Sequence, residues 1–180
     1  MHVLVTRRLT LRQPTVLDAE DIALHLSNWN VTRMLARVPF PYRLEDAEAW
    51  IAGLAEKPDH LVYTIHRERL IGVVSLDVGH DGPRLGYWLG ERWHGRGFMT
   101  EAAGALLSYA FATHGPRAVR SSVFVENETS LRVLAKLGFE VTGSGEEFSM
   151  ARGEKAPVWQ ARLTAEAFGA MTEQDTRSAA

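Results

Sequence analysis

Between Leu85 and Leu107 the chain reads LGYWLGERWHGRGFMTEAAGALL, with Gly95, Arg96 and Gly97 between a strand-like run and a long helical pattern. A helix start carries unpaired backbone N–H groups and about half a positive charge, and glycines let an anion approach them closely. The chemistry such a loop supports is phosphate binding, although the same turn also occurs as plain chain geometry. Two familiar phosphate loops are excluded. No Gly-Lys-Ser/Thr occurs, so the Walker lysine is missing. A dinucleotide fingerprint needs a third glycine and a following parallel βαβ unit, whereas Gly97 is followed by Phe98, Met99 and Thr100. The ligand implied is a phosphate compound other than NAD or a P-loop nucleotide. A second cluster, Asn127 with Ser130, opens the helical run after VFVE; asparagine is a preferred N-cap, and that role alone accounts for it.

The chain lacks other chemistries. It has no cysteine, which removes thiol nucleophiles, disulfides and Cys-ligated zinc. Its seven histidines show no i, i+4 pair, so no metal site is expected. No Ser-His-Asp grouping stands out, so no covalent intermediate is expected.

The elements that must carry these residues follow from periodicity. Val3 to Arg12 reads as a first strand, and Thr15 with Asp18 resembles a capping box before the helical run VLDAEDIALHLSN. A short helix is expected over Asn30 to Arg37. Pro39 and Pro41 interrupt, and Leu44 to Glu56 is again helical. The period then changes to two: His60 to Arg67, Leu70 to Val78 and Arg84 to Gly90 predict an antiparallel meander, its second turn at Gly79 to Pro83. A helix runs from Gly97 to about His114, a strand from Arg117 to Val125, and a helix from Asn127 to Leu137 with Gly138 as left-handed cap. Phe139 to Val141 and Phe148 to Met150 start and resume a strand, and Pro157 to Leu163 returns. This predicts an α+β fold with a mixed, mostly antiparallel central sheet of about seven strands flanked by helices. One domain is expected over residues 1–171, with 172–180 polar, small and disordered.

With 180 residues, 46% apolar and 23% charged, and a net charge of -2, composition is that of an ordinary soluble domain. It gives no global electrostatic reason to bind nucleic acid or an anionic membrane. The start has too short an apolar run for a secretory signal, and no run reaches the roughly 20 residues of a spanning helix. A cytoplasmic protein, monomer or homodimer, is the expectation.

Taken together, TRRLTLR, LIGVVSL, LGYWLGERWHGRGFMTEA, VENETSLRVLAKLGFE and RGEKAPVWQARLT resemble, in this order, the GNAT superfamily of acetyl-CoA-dependent N-acetyltransferases, within it the ribosomal-protein alanine N-acetyltransferase branch. The superfamily's pyrophosphate signature is Gln/Arg-x-x-Gly-x-Gly/Ala. Arg92, Gly95 and Gly97 match it literally; alignment by strand and helix puts His94, Gly97 and Met99 there instead, and this register leaves the expected short loop after Leu89. The resemblance then implies that His94, Gly95, Arg96, Gly97, Phe98, Met99 and Thr100 bind the pyrophosphate, Arg96 adding charge. It implies that the strand edge at Tyr87, Trp88 and Leu89 pairs with the pantetheine amides, with the Leu89 N–H polarising the thioester carbonyl as an oxyanion donor.

The resemblance further implies that Asn127 binds the pantetheine arm and that Ser130 lies near the sulfur. Many members use a Tyr on this helix to protonate the departing thiolate; that position falls on Leu134, so Ser130 becomes the catalytic proton donor, directly or through water. An amine must be neutral to attack, so a carboxylate or a water held by one is needed as base. Glu147 and Glu126 are the catalytic candidates, with Asp77 and Tyr87 behind them. The expected activity is acetyl transfer from acetyl-CoA to a primary amine, a protein N-terminus or a small molecule, by direct attack in a ternary complex. The alternative is a non-catalytic acyl-CoA-binding regulatory module on the same fold.

Overall fold

The computed structural model describes residues 2–57, 59–79 and 82–178. Its strands are β1 (Leu4–Val5), β2 (Thr10–Arg12), β3 (Leu61–His66), β4 (Leu70–Gly79), β5 (Gly82–Leu89), β6 (Ala118–Phe124), β7 (Glu140–Ser149) and β8 (Glu154–Thr164). The helices are α1 (Ala19–Leu26), α2 (Trp29–Thr32), α3 (Leu44–Gly53), α4 (Phe98–His114), α5 (Glu128–Lys136) and α6 (Ala165–Ser178). All strands join one eight-stranded sheet in the order β1-β2-β3-β4-β5-β6-β8-β7. Every pairing is antiparallel except β5 with β6, which is parallel. The expected α+β class is the observed one.

The core sits between the sheet and α4, whose Phe98, Met99, Ala102, Ala103, Leu106, Leu107 and Ala110 recur at helical spacing and are all buried. Each fully buried leucine there contributes about 2 kcal/mol by its removal from water. Ile22 and Leu26 of α1, Val31, Tyr42 and Ala47 close a second cluster on Leu70 of β4. That cluster forms the wall opposite α5, and the site lies between.

The sheet departs from the expected seven strands at its start. Val3 to Arg12 is not one strand but a hairpin, because the Thr6 N–H bonds back to the Leu9 carbonyl at 2.9 Å and the intervening arginines leave the sheet. β7 likewise continues through residues 142–147, where glycines and acidic residues suggest an interruption, with one register shift between Val141 and Gly143. Those glycines answer to a close approach rather than a turn: a Cβ at Gly145 would lie 3.1 Å from Gln160 Nε2 on β8. Gly138 has φ 83°, the left-handed cap expected after α5. α6 continues to Ser178, across most of the segment expected to be irregular. The turn expected at Gly79 to Pro83 includes residues 80 and 81, which lie outside the described residues, as do Pro58 and 179–180.

Candidate active site

β5 and β6 pair only at Arg84 with Arg120; beyond that rung they diverge. Because the Gly90 N–H bonds the Ile71 carbonyl of β4, strand alternation turns the backbone groups of Leu85, Tyr87 and Leu89 the other way, into the gap. The Leu85 carbonyl accepts from Ser121 Oγ at 3.0 Å, and the Leu89 carbonyl from the His94 ring at 2.9 Å, which requires the proton on Nε2. The N–H and C=O of Tyr87 and the N–H of Leu89 are thereby directed at whatever fills the gap. A cavity of about 1360 Å³ lies at it, lined by the glycine loop and α5 and by α2, α3 and the segment between them.

After β5 a single tight turn over Glu91–Trp93 is fastened by the Glu91 carboxylate, which accepts from Asn28 Nδ2 at 2.6 Å and Asn30 Nδ2 at 2.9 Å. Gly95 and Gly97 follow at φ 73° and 75°, a region where a side chain is strained, so both glycines are needed for the path. Gly97 is the N-cap of α4. The first bond of the helix runs from the Glu101 N–H to the Gly97 carbonyl, which leaves the N–H groups of Phe98, Met99 and Thr100 without helical partners. Phe98 and Met99 bury their side chains in the core, so only their backbone can meet a ligand. This geometry accommodates either register of the signature, since Gly95 and Gly97 are both left-handed. His94, Gly95, Arg96 and Gly97 are exposed around it.

One anchor of this loop is a residue that sequence accounts for only as a favourable negative charge in the first helical turn. Glu101, in the first turn of α4, accepts from Thr6 Oγ1 at 2.7 Å, the Arg8 N–H at 2.9 Å and Arg8 Nε at 2.6 Å. Burial works to raise its pKa, but these donors and the Arg8 charge outweigh it and hold the carboxyl below its usual range. Arg8 Nη1 also reaches the Arg96 carbonyl at 3.1 Å. The β1–β2 turn thus neutralises a carboxylate beside the free first-turn N–H groups of α4 and grips the loop. The signal in sequence is the Arg7–Arg8 pair, which breaks a strand that apolar alternation would continue.

On the opposite lip, Asn127 caps α5 by accepting the Ser130 N–H at 3.0 Å. Ser130 Oγ lies 2.8 Å from the phenolic oxygen of Tyr87, which is also 3.2 Å from the Ser130 carbonyl. Burial pushes the Tyr87 pKa up to about 12, against a smaller lowering by Ser130. Leu134 is buried in the core and presents nothing to the gap. Trp88 packs against the second cluster, 6.1 Å from the His25 ring.

On the far side, Glu147 of β7 receives Ser122 Oγ at 2.7 Å and Arg84 Nη2, both on Oε1. Arg84 and Ser122 come from the two strands that part at the seam, and neither stands out in the sequence. Glu126 is drawn to the rim by Arg152 and, at 3.8 Å, by Arg33, and its side chain is 47% exposed. Asp77 is held by Arg37 Nη1 at 2.8 Å and His60 Nε2 at 2.9 Å; burial opposes ionisation there, but these partners keep its carboxyl below the ordinary value. The fold therefore brings Tyr87, Ser130, Glu147, Glu126 and Asp77 to the walls of one cavity, each of the three carboxylates paired with an arginine. No cluster of three metal-ligating side chains occurs among the described residues, and no described helix is long and apolar enough to cross a membrane.

The free first-turn N–H groups, the two left-handed glycines and the unpaired edge of β5 fit a long ligand with a phosphate at one end and amides along its length, as coenzyme A has. Residues 8–140 match the family model described as Acetyltransferase (GNAT) domain. The N-acetyltransferase YoaA of Bacillus subtilis (strain 168) is 32% identical over 167 residues, 84% of this chain and 90% of its own. The N-acetyltransferase p20 of Bacillus licheniformis is 27% identical over 171 residues, 91% and 96% of the two chains. The structure of RimL, a ribosomal L7/L12 alpha-N-protein acetyltransferase in complex with coenzyme A, superposes with a TM-score of 0.80 at 20% identity, over 92% of this chain and 98% of that one. The chain belongs to the GNAT acetyltransferases and is an N-acetyltransferase whose acetyl donor is acetyl-CoA.

Proposed function

We propose that the protein transfers the acetyl group directly to a primary amine in a ternary complex, with a protein or peptide N-terminus as the favoured acceptor. The observation that carries the reading is the single cavity lined both by the glycine loop and by Glu147, which gives a donor and an acceptor room to meet without a covalent carrier. The absence of cysteine agrees with it. The likeness to a protein named as acting on the N-terminus of ribosomal L7/L12 supports the acceptor class.

In this reading the amides of residues 95–100 hold the pyrophosphate, the expected His94 amide being taken by the Glu91 carbonyl at 3.1 Å, and the Tyr87 and Leu89 backbone pairs with the pantetheine amides. The Leu89 N–H donates to the thioester oxygen as charge develops on it. The amine nitrogen forms the new C–N bond while the carbonyl π pair moves onto oxygen. Collapse re-forms the carbonyl and breaks the C–S bond, its pair leaving on sulfur. Ser130 gives the sulfur a proton, which solvent restores to Oγ. The proton shed by nitrogen passes to the Glu147 carboxylate or to a water it holds. Arg84 and Ser122 fix Glu147 for this through Oε1.

Ser130→Ala is expected to lower kcat by about 10² with little change in acetyl-CoA affinity. A fall in affinity with kcat preserved at saturation would make Ser130 a pantetheine anchor, and wild-type constants would remove it from the chemistry.

A further inference from the structure

The hydrogen bond between Tyr87 and Ser130 joins the middle of the sheet to the first turn of α5, across 43 positions of sequence, at the proposed proton donor. Its direction matters. A phenol has one proton to give; a serine hydroxyl has one proton and two lone pairs. If Ser130 donated to Tyr87, its proton would point into the wall of the cleft, away from any ligand.

The surroundings favour the opposite direction. Tyr87 is partly buried, and with its pKa pushed up to about 12 it keeps its proton at neutral pH and has that one proton to donate. It has two acceptors in reach, Ser130 Oγ at 2.8 Å and the Ser130 carbonyl at 3.2 Å. In a helix that carbonyl already receives the N–H four residues on, so Oγ is both the nearer and the freer acceptor. The Ser130 N–H, bonded to Asn127 Oδ1, keeps the residue from turning.

We propose that Tyr87 is a positioning residue for acetyl transfer: by donating to Ser130 Oγ it points the serine's own O–H into the cleft and strengthens it as a donor. A hydroxyl that accepts one hydrogen bond is polarised toward giving another. No proton needs to leave Tyr87; its contribution is to hold one lone pair of Oγ so that the serine proton has a single useful direction. The inference rests on Ser130 as the proton donor. It accounts for how a serine on α5 could serve where a tyrosine at Leu134 is missing.

The test is a double-mutant cycle with Tyr87→Phe, Ser130→Ala and the pair. Phenylalanine keeps the buried ring and removes only the hydroxyl. Tyr87→Phe alone is expected to lower kcat about tenfold, the worth of one hydrogen bond, with KM and Kd for acetyl-CoA within about twofold. In the Ser130→Ala background, where there is no hydroxyl left to orient, Tyr87→Phe is expected to change kcat no further. Equal losses in both backgrounds, a loss in KM rather than kcat, or no loss from Tyr87→Phe alone would overturn the inference while leaving Ser130 in place. A wild-type kcat for Ser130→Ala is the distinct result that removes the proton-donor reading, and the inference with it.

Discussion

Asp18 is a carboxylate placed almost out of contact with water, 3% exposed, and still ionised. Burial would raise its pKa. Arg12, which meets both oxygens at 2.7 Å, and the Thr15 N–H at 2.8 Å outweigh that and hold it below the ordinary value. A folded pKa below the unfolded one stabilises the native state at pH above the unfolded value near 3.9, and the contribution is lost as pH falls through the folded value. Asp18→Asn is therefore expected to cost about 2 kcal/mol at pH 7 and much less at pH 3. Urea midpoints for both proteins at the two pH values check this, and a pH-independent difference would contradict it. The Thr15 and Asp18 pairing was legible as local spacing; Arg12 as its partner was not, since the approach depends on β2 lying beside the start of α1.

At the scale of elements, the glycine loop makes the sharpest demand. Gly97→Val forces a branched side chain into a left-handed conformation at a cost of about 1–2 kcal/mol and sets a Cβ where an anion must approach the α4 N–H groups. Acetyl-CoA affinity is expected to fall at least tenfold by calorimetry while the sheet stays formed; unchanged affinity would place the phosphates elsewhere. This loop and α4 were readable because glycines, a change of period and a long apolar face coincide within a few residues. The β1–β2 hairpin was not, since the Arg7–Arg8 pair marks a break only locally and its partner Glu101, which takes up the Thr6 and Arg8 donors, lies far along the chain. The same holds for Glu147. Its position in β7 was noted through family resemblance, but its partners Arg84 and Ser122 come from strands separated in sequence and joined only by the order of the sheet. The glycines in β7 misled for a related reason: what they make room for, Gln160, lies on another strand.

For the whole molecule, a ligand that binds only the native state raises the melting temperature by mass action. Acetyl-CoA at a hundredfold excess over its Kd adds about 2.7 kcal/mol, a rise of roughly 5–10 °C for a chain of this size. NAD and ATP at the same concentration are expected to give none, because the loop lacks what holds either one. A shift with NAD equal to that with acetyl-CoA would overturn the loop's assignment.

The single rung between β5 and β6 has a consequence for how the sheet holds together. A sheet resists shear through its ladder, and here the ladder lapses beside Tyr87 and Leu89, in the middle of the molecule rather than at a frayed edge. A pantetheine chain laid along β5 would act as a short surrogate strand, stitching by its own amides what the polypeptide leaves open. Hydrogen exchange should then be fast at the amides of Tyr87 and Leu89 in the free protein and slow once the donor is bound, while Gly90, already bonded to Ile71, stays protected in both. In mechanical terms the donor would be a removable part of the frame, each turnover opening and reclosing the centre of the sheet.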